Sequence, residues 1–340
     1  MKPTTMASTP TSQAWSLTTT AQRGLTLVEL LVALVIGLLI SLAAISSLVV
    51  TRQGFNAVDA ASQLRDNGRF AADLIQRITL QAGYKIPLYA VTLPSQQDLT
   101  NDAAGLIASN ITGFNNALVD TTDLTTAATR TSSVLGYGSD VLVLRFQGSD
   151  GSIIDCSGAT SAVIPASRNE RMVSVFHVAL DPDGEPALMC SRSVDGVAAY
   201  TTQTLVRGVE NFQVLYGVDG FTAVNTAFNP GAMDSVPERY LRADQIVVGG
   251  NTHSQATYAN WRQVRSIRIG MILRGPVGSQ SERVAQTLYP FGLAKDSATG
   301  TAGSALSSAN DVGTIFSAPA DGRLRQVVTF TIHLRTDQSL

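Results

Sequence analysis

A single carboxylate, Glu29, lies in an otherwise uncharged apolar run that extends from Leu25 to Val50. These 26 residues exceed the roughly 20 that an α-helix needs to span a bilayer. A charged side chain in the middle of a membrane costs on the order of 2.5 to 3.5 kcal/mol, and somewhat less near the end of the span, where Glu29 lies. The sequence therefore predicts a membrane helix in which Glu29 has a function.

The two cysteines, Cys156 and Cys190, lie in the polar part of the chain and are separated by 33 residues. Neither belongs to a C-x-x-C pair, so the spacing favours one disulfide over a metal or redox site, provided that this part of the chain lies outside the cytoplasm. A disulfide of that span contributes roughly 3 to 4 kcal/mol in the chain-entropy description. The alternative is two reduced thiols in the core.

The three histidines offer little catalytic chemistry. His177 and His333 lie inside strand-like patterns, where a structural histidine is the simpler interpretation, and His253 lies in a polar loop. The sequence contains no G-x-S-x-G, H-E-x-x-H, P-loop or dinucleotide-binding glycine motif. No catalytic residue and no cofactor are predicted, although scattered Ser, Asp and His side chains can converge on a triad in three dimensions.

The segment DPDGEP, from Asp181 to Pro186, has two interpretations. Its Asp, Pro and Gly residues are typical of a tight turn between two strands. Asp181, Asp183 and Glu185 alternate as in a calcium-binding loop, but the distant bidentate acid of that pattern is missing. A turn is therefore favoured, and no metal site is predicted.

The composition is that of a folded protein with a substantial core. The chain has 340 residues, of which 44% are hydrophobic and 15% charged, enough for one large domain or two modest ones. A net charge of -2 provides no basic field that would attract a phosphate backbone. No nucleic-acid partner is therefore predicted.

The residues around the apolar run indicate a single-pass membrane topology. Lys2 and Arg23 precede the run, so the basic-side-in bias places the short leader in the cytoplasm and the bulk of the chain outside it. A secretory signal peptide, with small residues at 44–46 as its cleavage site, is the alternative. The acid inside the run argues against it, since a disposable signal gains nothing from that charge.

The helix is also predicted to continue beyond the membrane, where a signal peptide would stop. Residues 52–82 contain no proline and have helical spacings of three and four, on which lie Phe55, Val58, Ser62, Phe70, Leu74 and Ile78. One helix from Leu25 to Ala82 would be about 87 Å long at 1.5 Å per residue, with Gly83 ending it. Gly54 and Gly68 are expected to weaken it by about 1 kcal/mol each relative to alanine.

The remainder of the chain is predicted to be rich in antiparallel strands. Alternating and β-branched stretches begin at Asp140, Arg171, Ala187, Glu210, Val264 and Leu324. Residues 92–133 and 295–314 are small and polar and are interpreted as long loops. The predicted fold class is α+β, with a long amino-terminal helix followed by a large β-rich globular domain.

The start of the chain resembles the processing site of type IV prepilins. The motif is RG followed by LTLVELLVAL, with a basic residue, a glycine, an apolar first mature residue and an acid at the fifth mature position. The resemblance implies that Gly24 ends the leader, that Leu25 becomes the methylated amino terminus, and that Glu29 acts in assembly. The family more often has phenylalanine at the first mature position and a shorter leader; initiation at Met6 would shorten this one.

The body resembles the PilW family of minor pilins. The similar segments are RDNGRFAADLIQRITLQAGY, LVRGVENFQVLYGVD and WRQVRSIRIGMILR, and both cysteines lie where that family often has a pair. The resemblance implies a leader at 1–24, a helix at 25–83 with its membrane span at 25–50, and an extracytoplasmic domain at 84–340. It implies an inner-membrane protein that passes to the pilus or cell surface.

The resemblance also implies a function and partners. The expected function is that of a minor pilin in the initiation of type IV pilus assembly or at the pilus tip. Its expected partners are a prepilin peptidase that is also an N-methylase, other minor pilins, the major pilin and a tip adhesin. The alternatives are a J-like minor pseudopilin of a type II secretion system and, more distantly, a membrane-anchored periplasmic enzyme or sensor.

A charge pair explains why such a chain keeps Glu29. Cleavage before Leu25 creates a positive amine at the end of an apolar helix, and that amine needs a partner once it is buried in a filament. Glu29 of a neighbouring subunit is the expected partner, so that the cost of burying the acid helps to set the register of assembly.

Overall fold

A computed structural model of the chain describes residues 24–90, 108–120, 127–132, 134–148, 151–160, 164–166, 170–194, 200–295, 302–304 and 311–334. The chain divides into two compact units, with the boundary between Arg52 and Gln53. The first contains the apolar part of the amino-terminal helix. The second contains the amphipathic part of that helix and the β-rich body.

Helix α1 extends from Leu27 to Gln81. It begins two residues later and ends one residue earlier than the predicted helix. Its apolar part is exposed along its whole length, and the helix is long and apolar enough to span a membrane. The long helix and the antiparallel β-rich domain that follows confirm the predicted α+β fold class.

The second half of α1 packs on the body through small and aliphatic residues. Its buried stripe has helical spacing and consists of Ala60, Leu64, Gly68, Ala71, Ile75, Ile78 and Thr79. The predicted apolar face is wrong in part, because Phe55, Val58 and Phe70 are 71%, 71% and 56% exposed. Small residues prevail on the buried face because they let the helix backbone approach the sheet.

Gly68 shows this close approach directly. A Cβ atom on Gly68 would lie 2.7 Å from Cγ2 of Val328, which belongs to the last strand of the body. Gly54, by contrast, would have no atom within 4 Å of an added Cβ. Gly68 therefore permits helix packing, whereas the expected cost of Gly54 in helix propensity stays a prediction.

A five-stranded antiparallel sheet forms one side of the body, in the order β1-β4-β5-β6-β7. Its strands are β1 (Ile111–Phe114), β4 (Val141–Phe146), β5 (Met172–Leu180), β6 (Pro186–Val194) and β7 (Thr201–Arg207). A short ribbon of β2 (Ala117–Val119) and β3 (Ala127–Thr129) lies between β1 and β4 in the sequence. The short helix α2 (Pro87–Ala90) follows α1.

A four-stranded antiparallel sheet has the order β15-β10-β8-β9. Its strands are β8 (Val209–Val218), β9 (Arg239–Leu241), β10 (Val264–Arg274) and β15 (Arg325–His333). A 3₁₀ turn (Pro230–Ala232) and helices α3 (Ala243–Ile246) and α4 (Gln255–Trp261) lie between β8 and β10. Two small ribbons pair β11 (Gln286–Leu288) with β14 (Phe316–Ala318) and β12 (Leu293–Lys295) with β13 (Ala302–Ser304).

One hydrophobic core joins α1 to both sheets. Ile75 of α1, Phe176 of β5 and Phe212 of β8 are all fully buried in the same cluster. A second, smaller cluster covers the opposite face of the five-stranded sheet and includes Val143 and Val175. The helix therefore closes the core that the two sheets share.

Asp140, at the start of β4, connects the two sheets. Its backbone N–H donates to the carbonyl of Phe212 at 2.7 Å, and its Oδ2 accepts the N–H of Val214 at 2.8 Å, both on β8. Its Oδ1 accepts the N–H of Asn116, between β1 and β2, at 2.9 Å. Burial raises the pKa of Asp140 well above its usual range.

The predicted loop at 92–133 is wrong in part. Of the described residues in that range, β1 forms an edge of the five-stranded sheet, and β2 pairs with β3. These strands have three or four residues each, too few for alternation to be visible in the sequence. In the range 295–314, β13 is a strand. Residues 92–107, 121–126, 133, 296–301 and 305–310 lie outside the described part.

We expect Gly68→Ala to lower the free energy of unfolding by about 1 kcal/mol, because the clash with Val328 outweighs the gain in helix propensity. In a Val328→Ala background the same change should be neutral or stabilising, since the obstructing methyl group is gone. Denaturant unfolding of the detergent-solubilised chain measures both.

Gly54→Ala is the matched control and should stabilise the chain by up to about 1 kcal/mol. If Gly68→Ala changes the free energy of unfolding equally in the two backgrounds, then the side chain of Val328 is not the reason why position 68 requires glycine.

Candidate processing and assembly site

Thr26 and Glu29 form a capping box at the start of α1. The N–H and the Oγ1 of Thr26 each donate to Oε2 of Glu29 at 3.1 Å. In return the N–H of Glu29 donates to Oγ1 of Thr26 at 3.3 Å. The first intrahelical bond runs from the N–H of Leu30 to the carbonyl of Thr26 at 3.2 Å. These contacts explain why the helix begins at Leu27.

The capping box leaves Gly24, Leu25 and Thr26 outside the helix and exposed. The Gly24–Leu25 peptide bond therefore lies in a non-helical segment, where an enzyme can reach its backbone. Within the described ranges, and apart from its chain neighbours, no heavy atom lies within 4 Å of a Cβ placed on Gly24. Glu29 lies three residues into the helix, with its carboxylate bound only to local groups of Thr26 among the described residues.

Cys156 and Cys190 are joined by a disulfide, with their Cα atoms 5.8 Å apart. Both residues are buried, and Cys190 lies in the middle of β6. The backbone N–H of Cys156 donates to Oγ of Ser174 on β5 at 3.0 Å. The bond thus fastens the segment before β5 onto the five-stranded sheet.

His177 is a buried structural residue. Its Nε2 lies 2.9 Å from Oγ of Ser191, and that hydroxyl lies 2.6 Å from Oγ1 of Thr202. Burial, reinforced by the nearby Arg130, lowers the pKa of His177 to about 4. Although a serine and a histidine are in contact, both side chains are inside the sheet packing, where no substrate reaches them.

The other two histidines do not join His177. Nδ1 of His253 lies 3.0 Å from the hydroxyl of Tyr258, just before and on helix α4. His333 is exposed at the end of β15. Each histidine therefore belongs to a different element of the fold, and the described residues show no triad that includes them.

The segment DPDGEP forms the predicted turn between β5 and β6. Oδ1 of Asp181 accepts the N–H groups of Asp183 and Glu185, both at 2.9 Å. Arg207 binds Oδ2 of Asp181 at 2.8 Å and Oδ2 of Asp183 at 2.6 Å. The acids that suggested calcium therefore stabilise the turn and bind an arginine.

An ion-pair network at one end of the two sheets was not predicted. Arg274 binds Glu185 at 2.7 Å and Glu210 at 2.9 Å. Arg325 binds Glu210 at 2.6 Å and Asp321 at 2.7 Å, and hydrogen bonds from Arg325 lower the pKa of Asp321 to about 2. Most of these residues are far apart in the sequence, so no local sequence pattern indicates the network.

Three further carboxylates cluster in the loop after β8. Oxygens of Asp219, Asp234 and Glu238 lie within 4.8 Å of one another, an arrangement that no sequence motif indicated. The buried Asp219 accepts the N–H groups of Asp234 and Ser235 at 3.1 and 3.0 Å and binds Arg265 at 3.4 Å. Glu238 accepts the N–H of Gly220. These acids organise the loop through its own backbone.

His177 makes stability depend on pH. The pKa of His177 is about 4 in the folded chain and 6.5 in a model peptide, so the unfolded chain binds the proton first as the pH falls. We expect the free energy of unfolding to decrease from about pH 6.5 to pH 4, by up to about 3 kcal/mol from this residue.

Denaturant unfolding as a function of pH measures this effect, and His177→Gln should remove the fall in stability that this residue contributes, leaving the opposite contribution of Asp140, whose raised pKa favours the folded chain as the pH falls. The exposed His333→Gln serves as the control and should leave the slope unchanged. An equally steep fall in stability in His177→Gln and in the unchanged chain would contradict the assignment.

Two family matches agree with the geometry. The family described as "Prokaryotic N-terminal methylation motif" matches residues 19–45, which include Gly24, Leu25 and Glu29. The family described as "Type IV Pilus-assembly protein W" matches residues 175–336, from within β5 to just beyond β15. The chain matches no curated protein and no solved structure at a significant level. The prepilin-like start, the long apolar helix and the PilW-like body together make the chain similar to PilW-like minor pilins of the type IV pilus.

Proposed function

We propose that this minor pilin primes type IV pilus assembly and occupies the pilus tip. The observation that carries the proposal is the two-sided character of α1. One face of its second half is buried against the body, while the opposite face exposes Phe55, Val58 and Phe70. Large exposed apolar side chains on an ordered helix mark an interaction surface. The exposed side of α1 is available to other pilins.

The proposal includes the processing that the methylation motif implies. A prepilin peptidase cuts between Gly24 and Leu25, the peptide bond that lies just before the capped helix. Leu25 then carries the new amino terminus and is methylated. The leader lies in the cytoplasm and the body outside the inner membrane, since basic residues precede the span.

The size of the body supports a low-copy position. Helix α1 ends at Gln81, and most of the chain follows it as two sheets with long connections. Such a body crowds a tightly wound shaft, whereas at a tip only one side must stack on other subunits. The connections then face the remaining minor pilins and an adhesin. The role is structural and requires no catalytic site.

Glu29 is proposed to change partner on assembly. In the isolated chain its carboxylate accepts two hydrogen bonds from Thr26. In the filament the positive amine of Leu25 of a neighbouring subunit binds the same carboxylate. The capping box keeps the acid hydrogen-bonded until that amine arrives, which reduces the cost of holding a charge in an apolar environment.

Glu29→Gln separates the charge from the cap, because glutamine also completes a capping box. We expect Glu29→Gln and Glu29→Val to lose incorporation into pili, whereas Thr26→Ala, which keeps the acid, should retain most of it. Immunoblots of sheared pili measure incorporation, and mass spectrometry should find Leu25 at the amino terminus of every variant. Normal incorporation of Glu29→Gln would refute the charge pair.

Deleting the gene should reduce the number of pili much more than it changes the shaft, and the protein should be scarce in sheared fibres. Complementation with a Phe55→Ser, Phe70→Ser double variant should fail, because the apolar contacts of α1 are lost, although the folded body remains.

The exposed Gln76→Ser, on the same helix, is the matched control and should restore pilus number. Finding the chain as the dominant subunit along the shaft would overturn the proposal. Loss of secretion with normal pili would indicate a pseudopilin.

A further inference from the structure

The last residue of α1, Gln81, is bound by a loop of the body. Oε1 of Gln81 accepts the N–H of Ile154 at 3.2 Å, and Nε2 of Gln81 donates to the carbonyl of Ile154 at 3.4 Å. The same Nε2 lies 3.3 Å from the carbonyl of Arg77, one helical turn earlier. A single amide side chain therefore connects the final turn of the helix to both backbone groups of one loop residue.

The loop that carries Ile154 is a small closed unit. Ile154 forms an isolated β-bridge with Thr160. Between them, Oδ1 of Asp155 accepts the N–H groups of Ser157 and Ala159 at 2.8 and 3.0 Å. These bonds fix the shape of the loop but do not attach it to the rest of the body.

Cys156 attaches this loop to the five-stranded sheet, two residues after Ile154. Its disulfide partner Cys190 lies on β6, and its N–H donates to Ser174 on β5. Arg192 of β6 adds an ion pair of 3.3 Å to Asp155, in which the arginine side chain is 39% exposed and the carboxylate side chain is buried. The disulfide is therefore the covalent attachment of the loop, which the partly buried Ile153 and Ile154 supplement by packing against the core cluster.

The helix end has a second attachment that does not depend on the disulfide. The N–H of Gly83 donates to the carbonyl of Arg145 on β4 at 3.0 Å. Ile78 and Ile75 are fully buried about one and two turns earlier. Loss of the loop contact would therefore loosen the final turn of α1 while the preceding turns remain docked.

We propose that the Cys156–Cys190 disulfide holds the final turn of α1 to the body through the Gln81–Ile154 contact, so that oxidation of the body completes the docking of the helix. This coupling goes beyond the assembly function, because it makes the junction between the helix and the body depend on the redox state of the compartment. Reduction by a dithiol transfers two electrons and two protons, which converts the disulfide to two thiols and the reagent to its own disulfide.

Hydrogen exchange of the full chain in detergent micelles, read by mass spectrometry, tests the coupling. After reduction with dithiothreitol, amides in residues 78–84 should exchange several-fold faster, together with those in 151–160, while amides in 64–75 stay protected. Faster exchange in 151–160 alone would overturn the proposal.

Variants of the oxidised chain give an independent test that does not require the reduced protein to fold. Gln81→Ala should speed exchange in 78–84 and in 151–160, and reduction should add nothing further in 78–84. The exposed Gln76→Ala is the matched control and should behave as the unchanged chain does. Unaltered exchange of the amides in 151–160 of the oxidised Gln81→Ala variant would also overturn the proposal. This outcome decides the question even if reduction unfolds the whole body.

Discussion

The structure depends on the packing of one narrow face of α1 across both sheets of the body. Its buried stripe alternates small residues such as Gly68 and Ala71 with aliphatic residues such as Ile75. The small residues allow close approach to β15, and the aliphatic ones fill the core that the sheets share. Because the helix uses only this stripe, its other side remains free for partners.

The second constraint is polar, and it concerns how two separate sheets meet without leaving backbone groups unpaired. The carboxylate of Asp140 accepts hydrogen bonds from the N–H groups of Asn116 and Val214. Within a sheet, the carbonyl groups of a neighbouring strand accept such bonds. Near it, the buried Arg130 donates to the carbonyls of Ala117, at 2.8 Å, and Val178. Buried polar groups of this kind are tolerated only when they are hydrogen-bonded. The contacts of Asp140 therefore specify how the two sheets join, and those of Arg130 connect β2 to β5.

The residues proposed for processing and assembly lie near the amino terminus and need no tertiary contacts. The Thr26–Glu29 capping box is a local motif, so it forms from the sequence of the helix start alone. Away from the end of the apolar span, an acid would cost more free energy of membrane insertion. In the proposed assembly, the position of Glu29 near the cleavage point gives the charge a partner only after processing.

The sequence by itself determined the features that depend on local order: the membrane-spanning run, the position of Glu29, the long helix, the turn at DPDGEP and most of the long strands. Each has a period or a motif that is complete within a short segment. Tertiary structure alone decided which face of the helix is buried, because Phe55 and Phe70 are more hydrophobic than Gly68, yet it is Gly68 that fits against Val328 of β15. It also decided that residues 111–114 form a strand, since four residues gain their pairing from β4 and not from their own pattern. The arginine network and the Gln81–Ile154 contact belong to the same class, because they join residues that are close in space only after the sheets and the helix have packed.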